Sequence, residues 1–116
     1  WACVNCRKME EQVWSNPEVA RLLTEKVVLV SLYVDDRKTL PESEHRVEQY
    51  GGKDFRIKTI GNIWSYLQAS RFDRYAQPFY VMIDHDGEHI GGSAGYDPDA
   101  DVFIDFLEDG LVQFNR

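Results

Sequence analysis

The chain has 116 residues, 43% of them hydrophobic and 28% charged, with 13 Lys and Arg against 20 Asp and Glu. A chain of that length buries a core of its own, and with two cysteines it is not a disulfide-stapled mini-protein. A net charge of −7 leaves no basic footprint for nucleic acid, and the longest apolar run, Val27–Val34 interrupted by Ser31, is too short to span a bilayer.

Within these residues no stretch has the charged start, apolar middle and small-residue cleavage site of a secretory signal, so the compartment must be argued from chemistry. The charge is unevenly placed. From Asp84 to Gly110 there are nine acids and no Lys or Arg, a local charge of −9 that leaves +2 for the remainder. A solvated face is the simple reading, and a surface that repels or steers a charged partner is the alternative.

In chain order, the first feature is Cys3-Val4-Asn5-Cys6. A separation of three is shown by only about 2% of position pairs in a chain of this length, so chance is a poor account of it. Cys6, Met9, Val13 and Trp14 fall on one helical stripe, which predicts a helix opened by the cysteines. Ser15-Asn16-Pro17 reads as a cap followed by Pro at a first helical position, with Val19, Leu22 and Leu23 continuing the apolar face.

Val27–Val34 is short, β-branched and apolar on both faces, which predicts a strand covered on both sides. Asp35–Gly61 is polar and broken by Pro41, Gly51 and Gly52, and reads as an insertion over about residues 36–61 holding one short helix or strand. Asn62 is the expected cap of a helix carrying Ile63, Tyr66 and Leu67. Phe79–Asp84 and Glu88–Ser93 flank the turn His85-Asp86-Gly87 and predict a hairpin, whose second arm carries the glycine pair of an edge or bulge. Asp97-Pro98 opens a last helix with Val102, Phe103, Phe106 and Leu107 on its apolar stripe and Gly110 as its stop.

This order, CxxC helix, buried strand, insertion with helix, proline, hairpin and helix, is most of a thioredoxin fold. The expected class is α/β, three layers α/β/α around a central mixed sheet, in a single domain over residues 1–116. The strand that would feed the CxxC turn is missing from the chain, so the chain reads as a piece of a larger exported protein.

Thiol-disulfide exchange needs one thiol that is ionised and accessible and a second able to resolve the mixed disulfide. Cys3 at the helix mouth meets unpaired N–H groups and the positive end of the dipole, which makes it the candidate nucleophile; Cys6, one turn inside, is the resolving thiol. An inert bridge and a zinc half-site with His85 and His89 are the rival readings. The residues between Cys6 and His85 far exceed the spacing of a compact finger, so no metal is expected. The acids at Asp97, Asp99, Asp101, Asp105 and Glu108 follow a calcium-loop spacing, but the place that needs Gly holds Val102. Glu10 lies one turn after Cys6, where a carboxylate is able to exchange protons with it or stand solvated. Trp1 is either a partner contact or a lid on the disulfide, and Trp14 and Trp64 read as core.

Across Trp1–Glu10 and Val13–Val19 the sequence resembles the C-terminal thioredoxin-like domains of the DsbD family of thiol:disulfide interchange proteins. Gln77-Pro78-Phe79 and the Asp84–Gly87 turn agree with that resemblance. It implies that Cys3 and Cys6 are the redox pair, that Gln77-Pro78 is a cis-proline loop beside them, and that Glu10 is the acid near the active site. It also implies a monomeric periplasmic domain that takes electrons from a membrane-embedded donor and reduces periplasmic thiol proteins, with no cofactor beyond the Cys3–Cys6 disulfide. Three features depart from the family pattern: Ala2 separates Trp1 from Cys3, the region after Asp35 is longer, and the strand bearing the family's other buried acid is missing. The rival class is a non-catalytic binding or assembly domain that uses the acidic face.

Overall fold

The computed structural model describes residues 3–116. Its elements in order are α1 (Val4–Gln12), α2 (Pro17–Glu25), β1 (Arg46–Tyr50), β2 (Lys53–Ile57), α3 (Ile60–Phe72), β3 (Tyr80–Ile83), β4 (His89–Ala94) and α4 (Ala100–Phe114), with one 3-10 turn at Glu42–Glu44. They form two compact units, one of Val30–Tyr75 and one of Cys3–Leu29 with Ala76–Arg116.

In the first unit β1 and β2 pair antiparallel about Gly51-Gly52, both at positive φ (61° and 76°), as the tight two-residue hairpin turn requires. The insertion is therefore a hairpin, where the sequence reading allowed only one short element. One face of β2 buries Ile57 and sets Phe55 with its ring 5.5 Å from that of Tyr66 on α3. Asn62 is not the helix cap. Thr59 is, its Oγ1 accepting from Asn62 N at 3.2 Å while Asn62 Oδ1 accepts from Thr59 N at 3.1 Å. Asn62 thus sits three places into a reciprocal capping box, which its own capping propensity does not distinguish from a cap.

The second unit carries the cysteines. Asn16 caps α2, accepting from Glu18 N and Val19 N at 3.0 and 3.3 Å, with Pro17 at the first helical position as expected. Met9 of α1 and Val13 at its C-terminal cap, Val19 and Leu22 of α2, and Phe103 and Leu107 of α4 make the core, with Trp14, Tyr80 and Met82 packed against it. β3 and β4 form the expected hairpin, and its register shifts between Val81 and Met82, opposite Gly91-Gly92. The glycine pair is thus a bulge. Asp99, accepting from Asp101 N at 2.9 Å, caps α4, and the helix runs past Gly110 to Phe114.

Gly110 is inside the helix because β4 passes there at backbone contact distance. A Cβ on Gly91 would stand 3.0 Å from Gly110 Cα, and one on Gly110 would collide with the thioether of Met82. The missing side chain serves packing and not termination, a distinction that composition does not carry.

The mixed α/β class holds, but the strand expected at Val27–Val34 is absent. Residues 27–33 have no regular structure, and Val28 is 91% exposed and Val30 69%. The sheets are accordingly two antiparallel pairs, β1–β2 and β3–β4, in place of a central mixed sheet. β-branched composition fits a chain to a pleated surface, but ladder hydrogen bonds make the strand, and no described strand pairs with this run.

Gly91→Ala is expected to destabilise the protein by about 2 kcal/mol or more, since it adds positive-φ strain to a backbone collision. Gly92→Ala, with open space around its Cβ and ordinary φ, should stay within about 0.5 kcal/mol of the parent. Urea midpoints of the two variants check this.

Candidate active site

α1 begins at the cysteine pair because Cys3 is its cap. With φ −78° and ψ 103° the residue is extended, and its Sγ accepts from Cys6 N at 3.2 Å, doing for the first turn what a Ser or Asp oxygen does elsewhere. Arg7 N continues the turn by donating to Cys3 O at 3.2 Å. Cys3 and Cys6 are joined in a disulfide with Cα atoms 5.2 Å apart, and both are half-buried. The first turn contains no acid, so the positive end of the helix is left unneutralised at the sulfurs. On reduction that end favours a thiolate at Cys3.

The back of the helix is held by aromatic contacts. Trp14, just past the end of α1, has its ring 6.2 Å from Tyr80, the first residue of β3, and Tyr80 stands edge-on to Phe103 of α4 at 5.2 Å. Met9 and Val13 are buried against the same cluster. Pro78 lies two residues before Tyr80; it is buried, and the Gln77-Pro78 peptide bond is cis, the geometry expected for it. Gln77 itself is exposed. The ring contacts thus tie the cysteine helix to the strand that follows the proline.

Glu10 is exposed on α1, one turn beyond Cys6. Its charge is felt by Tyr80, whose hydroxyl is pushed up from 10.0 to about 12, first by burial and second by Glu10. Tyr80 was not singled out from sequence, although its place two residues after Pro78 at the start of an apolar strand was the available signal. Trp1 lies outside the described residues. Trp14 packs against the core, and Trp64 is half-buried on α3.

The histidines of the zinc alternative have other engagements. The His85 ring stands edge-on to Phe114 at 5.2 Å, and His89 Nε2 is 2.7 Å from Gly92 O. Two acids of the calcium-like spacing are used locally, Asp97 Oδ1 accepting from Asp99 N and Asp99 Oδ1 from Asp101 N, both at 2.9 Å.

A family model for a thioredoxin-like domain matches residues 2–111. No curated protein matches the chain.

Because the folded protein holds the Tyr80 proton more tightly than the unfolded chain does, the contribution of this group to stability is complete below pH 10.0 and is lost as pH rises through about 12. Alkaline urea unfolding should show this loss in the parent and not in Tyr80→Phe. Tyrosinate absorbance should show a late-titrating step that disappears in Tyr80→Phe and comes somewhat earlier in Glu10→Gln.

Proposed function

Since the chain belongs to the thioredoxin-like family, we propose that it is a thiol-disulfide oxidoreductase working through Cys3 and Cys6. The observation that carries this reading is the disulfide closed over the first turn of α1, with one sulfur at the cap. In the reduced form the Cys3 thiolate attacks one sulfur of a partner disulfide, forming a Cys3–partner bond and releasing the other partner sulfur as a thiolate. The Cys6 thiolate then attacks Cys3 Sγ, closing the Cys3–Cys6 disulfide and releasing the second partner sulfur. Two electrons pass to the partner, and the released thiolates take up protons from water or a nearby acid.

The roles follow from position. Cys3 has the helix end to stabilise its thiolate, and Cys6 is near enough to resolve the intermediate within the same turn. Pro78 and Gln77 provide the backbone of a loop for an extended partner segment, Glu10 is the acid closest in sequence for proton exchange with Cys6, and Trp1 is a contact for the partner. The exchange needs no cofactor beyond the pair itself.

Direction and setting rest on the likeness of Trp1–Glu10 and Val13–Val19 to DsbD-type domains. On that ground the protein is a monomeric periplasmic reductant, reloaded by a membrane-embedded dithiol donor and serving periplasmic thiol proteins, in the branch of electron transport that supports cytochrome c biogenesis. No helix among the described residues is long and apolar enough to cross a membrane, so in this reading the donor's membrane portion lies outside them.

Cys3→Ser should lower disulfide reduction by at least about a hundredfold, and Cys6→Ser should accumulate a mixed disulfide with the partner on a non-reducing gel. Parent-level reduction by Cys3→Ser would overturn the exchange reading. An equilibrium potential for the pair near that of thioredoxin, about −270 mV, supports a reductant, and one near about −120 mV an oxidant.

A further inference from the structure

In the unit that carries the cysteines, α4 presents two stripes. Phe103, Leu107 and Gly110 are buried. The other stripe, Val102, Asp105, Phe106 and Asp109, repeats at three and four residues and faces a cleft of about 390 Å³ between α4 and the end of β4. Apolar surface is open there: Val102 is 44% exposed, and Tyr96 on the opposite wall is 39% exposed. The floor includes Met9, one turn beyond Cys6 on α1, and the β4 wall ends at Gly95, where a Cβ would stand 3.7 Å from the Pro78 carbonyl.

Among the described residues β4 has no strand on its other side; Gly91 N donates to Gln113 Oε1 at 3.0 Å and Gly92 O is 2.7 Å from His89 Nε2, which leaves Ser93 and Ala94, at the cleft, as the stretch of that edge with no side-chain partner. A Cβ at Gly92 would meet nothing, so the cleft is open above that residue. The charge decides what kind of chain fits. Asp105 and Asp109 make no ion pair among the described residues. Like charges four apart on a helix work against it, so the fold gains nothing from this pair and a cation supplied from outside relieves it. An apolar surface alternating with carboxylates suits Lys and Arg side chains, whose stems cover Val102 and Phe106 while their heads reach Asp105 and Asp109.

We propose that this cleft docks an extended, Lys- or Arg-bearing segment of the thiol partner along the free edge of β4. The identity of the occupant as a redox partner rests on the exchange reading above; the preference for a cationic strand rests on the cleft alone. Selectivity for partners then comes from α4 and β4, and chemistry from the start of α1.

The test uses the whole chain and two cysteine-free, fluorescein-labelled peptides of about ten residues, one alternating Lys or Arg with Val and the other with Glu in place of each base. At about 0.05 M salt the cationic peptide should bind at least about tenfold more tightly, and at about 0.5 M the preference should shrink severalfold. Asp105→Lys with Asp109→Lys, both exposed positions, should reverse the preference. Equal binding of the two peptides by the parent, or an unchanged preference in the double variant, overturns the proposal. Reduction of hydroxyethyl disulfide by the pre-reduced protein reads the cysteine pair separately and should be equal in parent and double variant. Normal reduction without peptide preference defeats the docking site alone, whereas peptide preference without reduction defeats the exchange reading and leaves the cleft.

Discussion

Tyr80 joins the end of the cysteine helix to α4 and to the strand that follows Pro78, alongside the buried contacts of Met9 and Val13. Its ring lies between Trp14, just beyond α1, and Phe103 of α4, at centroid distances of 6.2 and 5.2 Å. Aromatic pairs at such distances contribute about 0.5–1.5 kcal/mol each beyond the area they bury. Their geometric effect matters more here, because they fix the end of the cysteine helix against the strand leading from Pro78. Burial of Tyr80 has an electrostatic consequence as well. Above pH 10.0, where a free tyrosine ionises, burial and the charge of Glu10 keep this phenol neutral up to about 12.

The two cysteines need the helix end and the helix end needs a cap, and here one residue meets both requirements. Cys3 Sγ accepts from Cys6 N, so the backbone donor that organises the first turn is also the donor that would stabilise a thiolate. The first turn has no acid, so no carboxylate there offsets the dipole at the sulfurs.

Local signals were the legible part of the sequence. Asn16-Pro17, the turn before β4 and the cysteine-led start of α1 all obey rules that operate within a few residues, and the glycine pair opposite Val81 and Met82 is the bulge its composition suggested. Tertiary context defeated the rest. Val27–Val34 has the composition of a buried strand, yet strand pairing is a property of two segments and only one was visible. Gly110 has the form of a helix stop, but its use is a contact with Gly91, distant in sequence. Gly51-Gly52 was a readable hairpin signal, hidden by the polar residues on the solvent face of β1 and β2, where period-2 alternation is weak. The site divides the same way. The cysteines and the proline were visible as motifs, whereas Tyr80 acts through neighbours that only folding supplies.

Disulfide exchange is chemically permissive: a thiolate at a helix end attacks any accessible disulfide of suitable potential, so selectivity must come from surface beyond the sulfurs. In this chain α4 is suited to provide it, because its two stripes have separable roles. Phe103 and Leu107 fix the helix to the core, and a change there moves stability. Val102, Asp105, Phe106 and Asp109 line the cleft, and the two acids among them add unrelieved repulsion to the isolated fold. A charge of −9 over Asp84–Gly110 is open to two readings, a solvated face and a surface that repels or steers a charged partner. Where two of those carboxylates border exposed apolar surface beside an open strand edge, that charge acquires a direction, attracting cationic chains and turning away acidic ones before any sulfur is reached.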